Sequence, residues 1–156
     1  MYKRQQSYLF NQVCAERIRS GGFDTVWHGD IAVKHSSGGL FLVEDVGQEL
    51  PRFAAWEISP TGPIFGWAMP IAAGKEGQIE SGLLEKENLR VEDFRNALPG
   101  LKLRGTRRPF RAKPWDLFWD VKEDSLILYF RLEKGVYATS FIREIVKEGK
   151  KNPSNT

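Results

Sequence analysis

The feature that most constrains the fold is the alternation of helix-period segments with short strand-like segments along the chain. Apolar residues recur at helical spacing within residues 5–19, where Phe10, Val13 and Ile18 fall on one face. The turn sequence Ser36-Ser37-Gly38-Gly39 joins two strand-like runs, and strands joined by so short a turn pair antiparallel. Interleaved helices and hairpins predict an α+β fold, with a mixed, largely antiparallel sheet packed against helices.

The other elements are predicted from the same local patterns. Asp45 is a candidate N-cap for a helix at 49–57, and we expect Pro51 in its first turn. The segment 58–73 is punctuated by Pro and Gly, which predicts a structured loop. Further helices are predicted at 77–88, 91–98 and 138–147, and strands at 25–28, 30–35, 40–44, 107–113, 117–121 and 126–132. We expect the last helix to bury its apolar residues, namely Ala138, Phe141, Ile142 and Ile145.

Length and composition limit the class of protein. The 156 residues, 41% of them hydrophobic and 28% charged, are enough for one domain with a packed core and a charged surface. We predict a domain over residues 1–148 and a disordered tail over 149–156. No apolar run is long enough for a membrane span, and the single cysteine, Cys14, fits a reducing compartment. We therefore expect a cytoplasmic protein without a membrane partner.

Patterns for metal binding or nucleophilic chemistry are weak. His28 and His35 do not have the spacing of a zinc site, so no metal is expected. Cys14 follows Val13 on an apolar helix face, which is more typical of a small core residue than of a nucleophile. The Gly-containing segment 62–66 lacks the Lys and the following Ser or Thr of a phosphate-binding loop.

A basic tract between residues 102 and 113 is the strongest functional signal. No acid interrupts it, whereas acidic residues concentrate between 76 and 93. On a strand, Arg107, Arg111 and Lys113 would share one face, which predicts a row of cations toward solvent with Phe110 toward the core. Such a row is typical of a track for a phosphate backbone, but a solvated edge strand has the same pattern. The candidate RNA-binding residues are Lys102, Arg104, Arg107, Arg108, Arg111 and Lys113.

Arg143 is the most unusual single residue. It follows Phe141 and Ile142 on the predicted last helix, at the margin of the apolar face. An arginine in this position either extends its charged end to solvent or pairs with a carboxylate in a cleft. The sequence leaves both interpretations open.

Six segments of the chain carry a resemblance when they are taken in order: Tyr8–Ile18, His28–Asp30 with Phe41–Asp45, Ser59–Gly66, Gly105–Arg108, Asp116–Trp119 and Tyr137–Glu144. Together they resemble the TruD-type tRNA pseudouridine synthase family. The resemblance runs from Tyr8 to Lys147 and implies an insertion domain together with the closing strand and helix of a catalytic domain. It implies tRNA as the partner, isomerisation of uridine to pseudouridine as the reaction, and no cofactor.

The sequence also departs from this family. Its enzymes carry the nucleophilic Asp in a Gly-x-Lys-Asp motif, followed by an Asn…Gln-Arg-Phe-Gly motif, and neither occurs here. We therefore expect an RNA-binding portion that is inactive without an Asp-bearing half, supplied for example by a separate chain. By resemblance, Arg143 would hold that Asp ionised and Tyr137 would line the floor of the pocket, both in supporting catalytic roles.

Two alternatives stay open at this point. In the first, Asp30 or Asp116 substitutes for the nucleophile and the chain is itself an enzyme. In the second, the chain is a non-enzymatic interaction module that no longer binds RNA. Its self-association as a homo-oligomer would then use apolar surface left exposed in 126–132 and 141–146.

Overall fold

A computed structural model describes residues 2–95, 103–133 and 136–146, except for the side chains of Tyr2 and Lys3. The chain divides into two compact units, Met1–Arg111 and Ala112–Thr156. In the described residues, the first unit contains a four-stranded antiparallel sheet with helices, and the second contains an antiparallel hairpin and a helix. The α+β class with largely antiparallel sheets is therefore confirmed. Across the same residues, no helix is both long and apolar enough to cross a membrane.

The elements of the first unit in chain order are α1 (Tyr2–Arg19), β1 (Ile31–Lys34), β2 (Leu40–Leu42), α2 (Val46–Ala54), β3 (Ile58–Ile64), α3 (Gly74–Lys86), a 3-10 helix (Val91–Phe94) and β4 (Thr106–Pro109). The sheet has the strand order β2-β1-β3-β4, and its strands pair antiparallel. The predicted turn at 36–39 joins β1 to β2. The carboxylate of Asp45 caps α2 by accepting from the Gln48 N–H at 3.1 Å, but α2 begins three residues earlier than predicted, which places Pro51 beyond its first turn.

Three further segments of this unit differ from the prediction. The segment predicted as a loop contains β3, which lies between β1 and β4 and is buried from Ile58 to Pro63. Pro60 and Pro63 made this strand difficult to predict from the sequence, because proline is rare in central strands. The strand predicted at 25–28 is instead a turn, since the Asp30 carboxylate accepts from the Trp27 N–H at 2.8 Å. The predicted helix 91–98 is a 3-10 helix over Val91–Phe94, and its later residues lie outside the described ones.

The buried face of α1 differs from the predicted one at its C-terminal end. Leu9, Phe10 and Val13 are buried as core residues, but Ile18 is 53% exposed. The preceding residue, Arg17, takes the buried position and is 1% exposed. The register is set by polar contacts of Arg17 with distant segments, which helical periodicity does not reveal.

The second unit consists of β5 (Trp115–Lys122), β6 (Ser125–Arg131) and α4 (Ala138–Ile145). The prediction that α4 buries its apolar face is wrong: none of its residues is buried, and Phe141 is half-buried against Phe130, with ring centroids 4.7 Å apart. A two-stranded hairpin offers a helix only a narrow face to pack on. The predicted tail at 149–156 lies outside the described residues.

Candidate functional site

The basic strand β4 is held against β3 by a close approach of two backbones. A Cβ atom on Gly66 would lie 2.1 Å from the Gly105 nitrogen, so only glycine fits there. Gly105 itself adopts φ of 77°, a conformation that favours glycine. The Trp67 and Ala68 N–H groups continue the pairing by donating to the carbonyls of Leu103 and Arg104. This contact fixes the position of β4 and therefore the directions of the Arg107 and Arg108 side chains.

Arg107 points into the protein, so the predicted row of cations toward solvent is wrong at this residue. Its side chain is fully buried, and its Nε donates to the Thr61 hydroxyl at 3.1 Å. Its Nη2 lies 2.8 Å from Oε1 of Glu80, a buried carboxylate on α3. A buried carboxylate is energetically costly without a neighbouring cation. Arg107 therefore serves as the counter-ion of Glu80 on α3.

Arg111 lies beyond the end of β4 and also turns inward, contrary to the prediction. Its Nε donates to the Ser59 hydroxyl at 2.9 Å, and its guanidinium carbon lies 3.5 Å from the ring centroid of Phe53 and 3.9 Å from that of Trp56. Burial lowers the pKa of Arg111 to about 10, which still leaves it charged at neutral pH. Arg111 therefore connects β3, through Ser59, to α2, through Phe53.

Three arginines remain exposed around β4, and we call them the β4 basic surface: Arg95, Arg104 and Arg108. Arg108 lies 5.3 Å from the ring centroid of Phe10. Arg95 and Arg104 lie 5.2 and 6.0 Å from the ring centroid of the half-buried Trp67. The sequence analysis missed Arg95, because it lies outside the basic tract and only the fold brings it to the same tryptophan.

The two other predicted RNA-binding residues lie elsewhere. Lys102 is outside the described residues. Lys113 belongs to the second unit, where its exposed ammonium lies 4.8 Å from the ring centroid of Trp115. The structure thus divides the described cations of the predicted tract into two arginines that turn inward, of which Arg107 pairs with a carboxylate, and three exposed cations.

A cluster of buried charges lies in the first unit and was not predicted. The Arg17 guanidinium donates to both carboxylate oxygens of Asp30, at 2.7 and 2.8 Å, and to Oε2 of Glu76 at 2.7 Å. Trp27 covers it, with its ring centroid 4.3 Å from the guanidinium carbon. Burial is the main cause that raises the pKa of Glu76 to about 7, and it also raises the pKa of Glu80.

These contacts bear on the residues considered as alternative nucleophiles. Asp30 is 1% exposed and its carboxylate is occupied by Arg17 and by the Trp27 N–H, which makes it a structural anion. Asp116 is exposed in β5 and lies 3.0 Å from Arg131. Cys14 is half-buried, and burial raises the pKa of its thiol, which weakens it as a nucleophile.

The predicted supporting residues both lie in the second unit. Tyr137 directly precedes α4 and is 69% exposed, and Arg143 is exposed in the last turn of that helix. With a rise of 1.5 Å per residue, they are about 9 Å apart along the helix axis. In the described part of the chain, no three His, Cys, Asp or Glu residues are arranged to hold a metal ion.

An α+β fold that displays exposed arginines beside aromatic rings on and around one strand, β4, belongs to a class of architecture that suits nucleic-acid binding. The family model described as tRNA pseudouridine synthase D (TruD) matches residues 3–145, and this chain belongs to that family.

Individual relatives agree with this assignment. The chain is 44% identical over 146 residues to tRNA pseudouridine synthase D of Geobacter metallireducens, covering 93% of this chain and 35% of the relative. It is 45% identical over 144 residues to the Thermus thermophilus protein of the same name, covering 91% and 38%. A crystal structure from Methanosarcina mazei, assigned as tRNA pseudouridine synthase D, superposes with a TM-score of 0.75 at 28% identity, covering 89% and 36%. The chain thus spans about a third of the length of these relatives.

Proposed function

We propose that this chain is the RNA-binding portion of a tRNA pseudouridine synthase, which isomerises uridine to pseudouridine in tRNA. The observation that supports this most is the β4 basic surface within a chain of the TruD family. Its exposed guanidinium groups suit contacts with phosphates, and the neighbouring rings of Phe10 and Trp67 restrict their motion.

In this proposal the cations of the basic tract have different roles. Arg104 and Arg108 contact tRNA phosphates directly, together with Arg95, and Lys102 and Lys113 stay predicted RNA contacts. Arg107 and Arg111 support the β4 basic surface from the interior of the protein, because their contacts to Glu80 and to the β3 backbone hold that surface in place. A phosphate track of this kind provides affinity without reading the base sequence.

A titration against an in vitro transcribed tRNA at several salt concentrations tests the RNA-binding role. The double variant Arg104→Ala/Arg108→Ala should bind roughly tenfold or more weakly, and its log–log salt slope should fall by about two, one unit per lost phosphate contact. Lys34→Ala removes an exposed cation from β1, which β3 separates from β4, and is the control. Equal affinities for the double variant, the control and the unaltered chain would contradict the RNA-binding role of the β4 basic surface.

We also propose that the chain is catalytically inactive without a segment that carries the nucleophilic Asp. Arg143 would then hold that Asp ionised, and Tyr137 would line the base pocket. The exposure of both side chains leaves them available to such a segment.

The catalytic proposal is tested by measuring pseudouridine in tRNA after incubation with the chain, alone and mixed with a polypeptide that carries the Gly-x-Lys-Asp motif. We expect product only in the mixture, and we expect Arg143→Ala to abolish it while leaving tRNA affinity unchanged. Product formed by the chain alone would contradict the proposal, and its loss in Asp116→Asn, or in Asp30→Asn with an unchanged urea unfolding midpoint, would identify the substitute nucleophile.

A second candidate function is a self-associating module that does not bind RNA. The observation that favours it is the exposed apolar hairpin of the second unit, where Phe118, Trp119 and Val121 are 57%, 66% and 67% exposed. Analytical ultracentrifugation over a range of concentrations should then show a dimer that Trp119→Ser weakens, with no tRNA affinity at low salt. A monomer that binds tRNA would exclude this candidate.

A further inference from the structure

A groove between α1 and α3 lies outside the β4 basic surface and has no assigned role. It encloses a cavity of about 440 Å³ within the first unit. Its apolar surface comes from Ile79 and Leu83 on α3, which are partly exposed, while the neighbouring Val13 on α1 is fully buried. This volume and lining suit a flat, mainly apolar group such as a nucleobase rather than a single ion.

The rim of the groove is positively charged. It carries the cations Arg19, Lys75 and Lys86, against one carboxylate, Glu16, which pairs with Arg19. Lys75 is held in position, because its ammonium donates to the Ser20 carbonyl at 3.0 Å and lies 4.2 Å from the ring centroid of Trp27. The two lysines are eleven residues apart on α3, which separates their Cα atoms by about 16 Å, too far to contact the same phosphate.

Two amide side chains complete the lining. Gln12 on α1 and Gln78 on α3 each offer a donor and an acceptor at the edge of the apolar surface. A base that lies on Ile79 and Leu83 could therefore form hydrogen bonds along its edge. A peptide helix would fill the same apolar surface, but it would leave the excess of cations unpaired unless it were acidic.

We propose that this groove binds an unpaired nucleotide of the RNA substrate, with the base on the apolar floor and its flanking phosphates on Lys75 and Lys86. The inference rests on the proposed tRNA-binding function and adds a second contact region to it. In this proposal the apolar surface of the groove accommodates the base and the cations of its rim attract the phosphates. Proteins usually recognise single-stranded RNA by binding unstacked bases in this way.

Gly82 offers a sharp test, because it lines the groove and a Cβ added there would meet no atom within 4 Å. Gly82→Trp should fill the groove without removing any cation, and tRNA affinity should fall roughly tenfold, the low end of what a bound base contributes. Ser81→Trp adds the same bulk at an exposed α3 position outside the groove, and its affinity should stay unchanged. Affinity is measured with in vitro transcribed tRNA, on chains whose urea unfolding midpoints match the unaltered chain.

A second variant keeps the test decisive if Gly82→Trp fails to fold. Lys86→Ala should lower the log–log salt slope of tRNA binding by about 0.7, as expected for one contact with single-stranded RNA. If the unaltered chain binds tRNA and Lys86→Ala, together with Gly82→Trp where that variant folds, binds with unchanged affinity and slope, the groove inference is overturned while the proposed function stands. If the unaltered chain binds no tRNA at low salt, the proposed function fails and the groove inference falls with it.

Discussion

At the scale of single residues, the buried charges of the first unit link stability to pH. Glu76 is fully buried and accepts from Arg17, yet burial raises its pKa from 4.5 to about 7. Between pH 4.5 and about pH 7, Glu76 is mostly protonated in the folded chain and mostly ionised in the unfolded chain. The stability that this proton contributes is complete below pH 4.5 and is lost as the pH rises through 7.

We therefore expect the free energy of unfolding to fall by about 2–3 kcal/mol between pH 5 and pH 8. The raised pKa of Glu80 acts in the same direction. Glu76→Gln keeps an oxygen that can accept from Arg17 but cannot ionise, so much of this pH dependence should disappear. Urea denaturation at each pH measures the effect, and the exposed Glu16→Gln is the control. A Glu76→Gln variant with the full slope of the unaltered chain would contradict this assignment.

At the scale of elements, the sequence predicted a strand at 107–113, of which only 107–109 belong to β4, and it predicted the wrong direction for Arg107 and Arg111. Alternation shows which residues lie on one side of a strand, and it does not show which side is buried when cations occupy both. The direction is set by acceptors far away in sequence, Glu80 on α3 and the carbonyl oxygens of β3. The hairpin of β1 and β2 could be predicted because its turn residues are local.

The pairing of β3 with β4 depends on the close approach of Gly66 and Gly105. Gly66→Ala would place a methyl group against the backbone of the neighbouring segment, which cannot give way as a side chain can. We expect a loss of about 2 kcal/mol or more in the free energy of unfolding. Gly82→Ala, on open helix surface, is the matched control and should instead stabilise by about 0.5–1 kcal/mol. Two variants of equal stability in urea denaturation would show that the approach is not a constraint.

At the scale of the whole molecule, burial is distributed unevenly between the two units. The first contains two clusters of buried apolar residues, one around Leu9 and Phe65 and one around Val43 and Phe53. In the second, β5 is exposed along its whole length and no residue of α4 is buried. Composition could predict a core but not its location, because apolar residues are frequent in both units.

This distribution predicts that the two units differ in their ability to fold alone. A fragment of residues 1–111 should unfold cooperatively and keep its circular dichroism spectrum, since its core lies within it. A fragment of residues 112–156 should be largely unfolded, because an isolated hairpin with one short helix buries too little apolar surface to offset its chain entropy. If the first fragment also binds tRNA, with an affinity that Arg104→Ala/Arg108→Ala weakens, the RNA contacts belong to the part that folds alone. A folded second fragment, or an unfolded first one, would contradict this division of stability.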